Sequence, residues 1–177
     1  QAKQLIEEQN IILEQRMNQL DDSLKQITQS IEYAERIQTS MLTKPDEVKE
    51  YLPKSFIIWM PRDIVGGDIY HIDSFEDGSI LVAVIDCTGH GVPGAFMSMI
   101  ASAFLRRVSR YRHPLKPSTI LKRMNAFVKS SLQQDREDTR SDDGMDAAIC
   151  IIHPSKKHLT FAGAGLHFEV RHHGKPM

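Results

Sequence analysis

The chain has 177 residues, with 41% hydrophobic side chains and a formal net charge of −1 at pH 7. This size predicts one globular domain with an appended segment, and the composition is sufficient for a hydrophobic core. The lack of a basic surplus argues against nucleic acid as the main partner. The two cysteines lack paired spacing, no apolar run approaches the roughly 20 residues that span a bilayer, and no signal-peptide pattern is present, so we expect a cytoplasmic chain.

The sequence of residues 1–43 predicts one long helix, because it contains neither proline nor glycine. Their apolar side chains recur at alternating steps of four and three residues, which predicts a two-stranded parallel coiled coil, and therefore a homodimer, with Asn10 fixing the register. The alternative is a single amphipathic helix that lies on its own domain. The two heptad positions are Ile6, Leu13, Leu20, Ile27 and Ala34, and Asn10, Met17, Leu24 and Ile31.

The heptad spacing slips after Ala34. The segment AERIQTSML, residues 34–42, is therefore predicted to leave the partner helix and contact the globular domain, which makes it a candidate transmission element. A short connector, KPDEVKEYLP, then leads into the second predicted unit, residues 44–177.

The sequence of the second unit predicts strands and helices that share one core. SFIIWMP (residues 55–61) is predicted to be the first core strand, and SILVAVID (79–86) a buried strand that follows a hairpin turn at Asp77–Gly78. One helix is expected from near Pro93 to Val108, and a second, capped by Ser118, to about Gln133. GMDAAICIIH and LTFAGAG predict two further strands, so the fold class is α+β with two helices on one face of a sheet.

Two aspartates stand at the edges of apolar runs beside glycines. Asp68 lies in VGGDIY, and Asp86 ends the buried strand immediately before the glycine-rich turn and a helix N-terminus. Buried carboxylates need partners, whereas the amide groups of such a turn favour anions. A phosphate held through hard divalent cations would use both features.

The combination of VGGDIY, a strand ending in Asp86 and TGHGVPGA resembles the PPM-type (PP2C-like) serine/threonine phosphatase domain of the SpoIIE branch. The resemblance covers roughly residues 34–171 and implies a PPM-type β-sandwich flanked by helices. Domains of this type continue with more strands and a final acidic TDG or SDG motif, so we expect the sandwich to be incomplete at the C-terminus. The N-terminal helix would then be a regulatory stalk below upstream sensory or membrane modules.

The resemblance also implies the site. Asp68, Asp86, Asp146 and the backbone carbonyl of Cys87 would hold two Mn²⁺ or Mg²⁺ ions, with Asp86 bridging them, and the ions would prepare a water molecule to attack phosphoserine or phosphothreonine. Asp146 is also the only acid of its loop that abuts an apolar strand. The other four are expected to be solvated, namely Asp135, Asp138, Asp142 and Asp143.

Two nearby side chains each have two interpretations. Arg62 would bind the substrate phosphate, or would be a surface arginine paired with Asp63. His90, in the GHG turn, would act as ligand or catalyst, but an orienting hydrogen bond to backbone is the preferred interpretation.

The substrate class implied by the resemblance is a small phosphorylated protein of the anti-sigma-factor-antagonist type, in bacterial partner-switching signalling. Two rival functions remain. One is a non-catalytic dimeric binding module of the same fold. The other is a histidine-kinase-type ATP-binding domain, because DCTGHG mimics the DxGxG loop of that fold.

Overall fold

A computed structural model describes residues 2–136, 138, 141–172 and 175–176. The outer limits of the two predicted units, residues 1 and 177, lie outside this part. The prediction of an α+β fold preceded by a long helix is confirmed. The elements in chain order are α1 (Ala2–Met41), α2 (Pro45–Tyr51), β1 (Ile69–Ser74), β2 (Ile80–Cys87), α3 (Gly91–Ser109), α4 (Pro117–Ser131), β3 (Met145–His153), β4 (His158–Ala164), β5 (Arg171–His172) and β6 (Lys175–Pro176).

The main sheet has four antiparallel strands in the order β1-β2-β3-β4, so each strand pairs with its neighbour along the chain. The predicted turn at Asp77–Gly78 joins β1 and β2, and the Phe75 N–H donates to the Ser79 carbonyl at 2.8 Å. A 3₁₀ turn over Pro154–Lys156 joins β3 and β4. Strands β5 and β6 form a separate two-stranded antiparallel sheet.

One face of the main sheet carries the core. Alternate residues of β2 point to the same side of the sheet, and those from Leu81 to Cys87 are buried against α3 and α4. Leu105 of α3 and Ile120 of α4 are fully buried there. This confirms that two helices cover one face. Helix α4 begins after Lys116 rather than at a Ser118 cap, because Pro117 occupies its first turn.

The opposite face of the sheet is apolar and partly open. Val84 is 48% exposed, and it lines a cavity of about 400 Å³ together with Cys150 and Phe161. Phe161 stacks on Phe168 with ring centroids 5.1 Å apart. The residues of β2 that alternate with the core positions, including Asp86, belong to this open face.

The segment before β1 differs from the prediction at one point. The predicted short connector KPDEVKEYLP contains α2, which Pro45 begins and whose Val48 is buried against Ile72 and Ile80. SFIIWMP is not a strand: within the described residues its backbone joins no ladder, and Phe56 and Met60 are both 84% exposed. The apolar residue types suit a strand, but a strand also needs a hydrogen-bonding neighbour.

Among the described residues, helix α1 contacts the rest of the chain through its C-terminal third. The apolar heptad side chains from Ile6 to Ile27 are each more than half exposed. Over this stretch, the helix therefore does not lie along its own domain. The coiled coil stays a prediction. No helix in the described part of the chain is long and apolar enough to span a membrane.

Candidate metal centre

The register of the sheet places the three predicted aspartates in one row. Asp86 of β2 pairs directly with Asp146 of β3. Asp68 immediately precedes Ile69, whose partner in β2 is Ile85. Asp68 therefore lies opposite Asp86, on the side of β2 away from β3. Directly opposed residues of antiparallel strands share a face and have Cβ atoms about 4.5–5.5 Å apart. The row lies on the open face of the sheet, at the end where β2 runs into the glycine-rich turn.

Asp68 and Asp86 interact with each other. Burial raises the pKa of Asp68 above its ordinary value, and a hydrogen bond with Asp86 and the negative charge of Asp86 raise it further. A neighbouring carboxylate makes the Asp68 carboxyl group hold its proton more tightly when no cation is present. Both side chains also line a cavity of about 440 Å³ beside Trp59, whose indole N–H donates to the Asp68 carbonyl at 2.9 Å.

Asp146 does not join this pair in space. Its carboxyl group occupies the position that a Cβ on Gly165 would take, and Gly165 adopts a left-handed φ of 78°. Within the described residues, no group of three or more His, Cys, Asp or Glu side chains is close enough to hold a metal ion. The contact of Gly165 with Asp146 was not predicted from the sequence, because it depends on the register that places Gly165, one residue beyond β4, opposite Asp146.

The thiol of Cys87 belongs to the core rather than to the site. The side chain is 4% exposed, and burial, followed by the charges of Asp86 and Asp68, raises the pKa of the thiol to about 12. A protonated thiol is neither a metal ligand nor a nucleophile. The backbone carbonyl of Cys87 faces Gly67, where an added Cβ would come within 2.9 Å of its oxygen.

The Asp68 loop, the end of β2 and α3 meet through glycine backbones. A Cβ on Gly94 would lie 2.5 Å from the Gly89 carbonyl oxygen and 3.0 Å from the Cα of Gly67. A Cβ on Gly67 would lie 2.8 Å from the same carbonyl oxygen. No side chain would fit at either position, so this junction positions Asp68 relative to Asp86 by direct backbone contact.

Arg62 lies apart from the aspartate row. It lines a different cavity, together with the start of α3 and Ile31 in the C-terminal third of α1, and no ion pair of Arg62 is found in the described residues. The alternative pairing with Asp63 is also not seen, because Asp63 interacts with His90 instead, with 2.8 Å between Oδ2 and Nδ1. His90 therefore orients its loop through a side chain rather than through the backbone hydrogen bond that we expected.

The donor set of the row fits a hard divalent cation at Asp68 and Asp86. Both offer carboxylate oxygens, the ligand type that Mg²⁺ and Mn²⁺ prefer, and their mutual repulsion is what a cation between them would relieve. Asp146 fits as a third donor by its place in the row, although its carboxyl group points to Gly165.

Comparison with known proteins identifies the family and the fold. The family model described as Stage II sporulation protein E (SpoIIE) matches residues 76–175. Among solved structures, the SiaA-PP2C domain of Pseudomonas aeruginosa is similar, with a TM-score of 0.68 and 35% sequence identity over 80% of this chain. The match spans 55% of that domain. No curated protein matches the chain.

Proposed function

Because the chain belongs to the SpoIIE family and has a PP2C-like fold, we propose that it is a metal-dependent phosphatase that hydrolyses phosphoserine or phosphothreonine on a partner protein. The observation that carries the proposal is the row Asp68, Asp86 and Asp146 across three neighbouring strands. These acidic residues, separated by up to 78 positions along the chain, occupy opposed backbone positions at one end of one sheet face.

Each aspartate has a role in the proposal. Asp86 is central in the row, and it would hold two cations together with Asp68 and Asp146 on either side and the carbonyl of Cys87. The side chain of Asp146 would reach the cations by rotating away from Gly165, from one staggered rotamer to another. When bound, Mn²⁺ or Mg²⁺ would lower the pKa of a water molecule and neutralise charge on the phosphoryl oxygens.

Arg62 would bind the substrate phosphate rather than take part at the metal. Its guanidinium is exposed and has no ion pair among the described residues, so it is available for a bidentate contact with a phosphoryl group. It stands six residues before Asp68 on the same loop.

The substrate and assembly are further parts of the proposal. We infer a small phosphorylated protein of the anti-sigma-factor-antagonist type as substrate, and a homodimer formed through α1. The exposed apolar heptad positions of α1 support the dimer, because a lone helix would leave them in water. The same exposure from Ile6 to Ile27 supports a division between residues 1–43 and the phosphatase domain, residues 44–177, although Leu42 packs into the core of that domain.

Family membership removes support from the histidine-kinase-type ATP-binding domain. The remaining rival is a non-catalytic binding module with the same fold, and turnover separates the two. The full-length protein with Mn²⁺ should hydrolyse a phosphoserine peptide, and Asp86→Asn should lower kcat/KM by at least about a hundredfold. Asp143→Asn is the matched control, because Asp143 bonds to Ser141 within its own loop, and should keep near-normal activity. Absence of turnover by the unmodified protein would favour the binding module.

A further inference from the structure

The helical layer of the domain is strongly basic, although the whole chain is almost neutral. Of the 22 Lys and Arg and the 23 Asp and Glu of the chain, eight of the former and none of the latter lie between residues 88 and 134. This segment contains α3, α4 and the connector between them. All eight basic side chains are exposed. Positive charge is therefore concentrated on the outer surface of the two helices, and the remainder of the chain is acidic.

Most of these side chains lie at one end of the helical layer. Seven of the eight, from Arg106 to Arg123, lie on the last turn of α3, on the connector and on the first two turns of α4, and together they form the basic surface. The connector lies against the β1–β2 hairpin, since Arg112 Nε is 3.7 Å from Glu76 Oε2 and His113 Nδ1 is 3.7 Å from Asp77 Oδ2. This hairpin is at the opposite end of the sheet from the aspartate row.

Interactions within the chain do not account for the basic surface. Among the described residues, Arg112 is its only member in an ion pair. Arg106 donates to the Ser40 carbonyl at 3.1 Å, and with Arg107 it suits the negative C-terminal end of the α3 dipole. In α4 the arrangement is unfavourable, because Lys116 is the N-cap and no acid lies in the first turn, where the helix dipole is positive. A local rule that is broken without compensation inside the chain indicates a functional surface.

The composition of the basic surface favours an acidic protein as its partner. Five of its seven members are arginines, which bind carboxylates in a bidentate manner and are enriched in protein interfaces. Proteins that lie on a membrane combine basic residues with exposed large apolar side chains that enter the lipid. Between residues 88 and 134, the exposed large apolar side chains are Val92 and Phe96, at the other end of α3. The acidic remainder of the chain opposes a long polyanion such as nucleic acid.

We propose that the basic surface is a docking surface for an acidic region of the phosphorylated partner protein, separate from the site that cleaves the phosphoester. The proposal rests on the proposed function, since it concerns recognition of the same substrate. Helix α3 has 19 residues and begins beside the aspartate row, so its rise of about 1.5 Å per residue places the basic surface roughly 28 Å from the row. An extended chain covers about 3.3 Å per residue, so roughly nine residues would separate the phosphoserine from the acidic region.

The test uses the full-length protein with Mn²⁺ and three phosphoserine peptides of equal length. The first has a run of glutamates on each side that begins about ten residues from the phosphoserine. The second has the same runs directly beside the phosphoserine, and the third has glutamines in place of the distant glutamates. We expect the distant-glutamate peptide to have a kcat/KM about tenfold above that of the glutamine peptide at low salt, with equal kcat. The adjacent glutamates should give much less gain, and high salt should abolish the gain by screening.

A pair of variants tests whether the basic surface causes this preference. Arg107→Gln with Arg110→Gln removes two exposed charges of the basic surface, and the variant should lose most of the preference for the distant-glutamate peptide. Its kcat/KM for the glutamine peptide should stay that of the unmodified protein. Lys3→Gln with Arg16→Gln is the matched control, because it removes the same charge from two exposed positions of α1, and it should keep the full preference.

The two failures are distinguishable. If the unmodified protein hydrolyses none of the peptides, the proposed function is wrong, and fluorescence anisotropy of the labelled distant-glutamate and glutamine peptides still tests the docking. If all three peptides are hydrolysed equally well, or the preference survives in Arg107→Gln with Arg110→Gln, the docking proposal is wrong and the phosphatase assignment stands. Equal hydrolysis of the peptides, together with arginine-dependent binding to phosphatidylserine vesicles or duplex DNA at physiological salt, would assign the basic surface to a membrane or nucleic acid and overturn the acidic-protein proposal.

Discussion

The electrostatics of the site can be tested most directly at Asp68. Without a cation, its carboxyl group is partly buried beside Asp86, and its pKa is raised above 3.8. A raised pKa in an acid means that the folded state binds the proton more tightly than the unfolded state. The stabilising contribution is therefore present below the unfolded pKa and is lost as pH rises through the folded pKa.

Asp68→Asn should have opposite effects on stability with and without metal. In EDTA near pH 7.5, the ionised carboxylate repels Asp86, so its removal should raise Tm. With saturating Mn²⁺ the same variant should have a lower Tm than the unmodified protein, because it binds the stabilising ion less well. Differential scanning fluorimetry measures both. A variant that lowers Tm equally in the two buffers would show that Asp68 has only a packing role.

Asp146 and Asp143 lie in the same segment but have different surroundings. Asp146 is in the row opposite Asp86, whereas the Asp143 carboxylate accepts a hydrogen bond from Ser141 at 2.8 Å. We expect Asp146→Ala to weaken Mn²⁺ binding by at least about tenfold and Asp143→Ala by much less. Titration calorimetry compares them directly, and the reverse order would identify Asp143 as the ligand.

His71 is the buried titratable group that the proposed chemistry does not use. Burial lowers its pKa, and Arg106 lowers it as well, although Asp73 acts in the opposite direction. The Ser109 hydroxyl donates to the Leu105 carbonyl at 3.2 Å, so His71 Nε2, 3.1 Å from that hydroxyl, carries the ring proton. This leaves Nδ1 buried, with no partner among the described residues.

Acid should therefore destabilise the fold through His71. A lowered folded pKa means that the neutral ring is favoured, so its stabilising contribution is complete above the unfolded pKa of 6.5 and is lost as pH falls through the folded pKa. The free energy of unfolding in urea should fall between about pH 7 and pH 5, and should fall less in His71→Gln. His167→Gln, at an exposed histidine, is the control. Equal pH dependence in all three proteins would contradict this account.

At the scale of elements, α1 has two parts with different surroundings. The part near Gln38 is bonded into the domain, whereas Leu20 and Ile27 are 62% and 56% exposed. Apolar side chains at heptad spacing favour a second helix as their partner. The local pattern predicted the helix, but it could not identify Gly66, 28 residues away, as the partner of Gln38.

Charging the seam should dissociate the proposed dimer. Leu20→Glu with Ile27→Glu places four like charges in the interface of a two-stranded coiled coil, so the protein should be monomeric by light scattering at micromolar concentration. Ile11→Glu with Ile12→Glu is the matched control, because both residues are exposed apolar side chains of α1 that lie outside the seam. A dimer that survives the Leu20 and Ile27 changes would rule out the coiled coil as the interface.

At the scale of the whole molecule, the residue patterns predicted the elements better than their pairing. The β2 strand, α3 and the two-helix layer follow from local apolar spacing. The row of aspartates depends on register, which arises from hairpin geometry and core packing across the whole sheet. The strand predicted for SFIIWMP was wrong for a related reason. Apolar residues favour a strand, but they do not show whether a neighbouring strand is available.

The most direct test of the central claim is anomalous scattering from crystals of the protein soaked in Mn²⁺. The account predicts manganese peaks between Asp68 and Asp86, two ions about 3.5–4 Å apart, with the Asp146 carboxylate turned from Gly165 toward them. Manganese bound elsewhere, with these three carboxylates unligated, would contradict the assignment of the row as the metal centre and the phosphatase mechanism that depends on it.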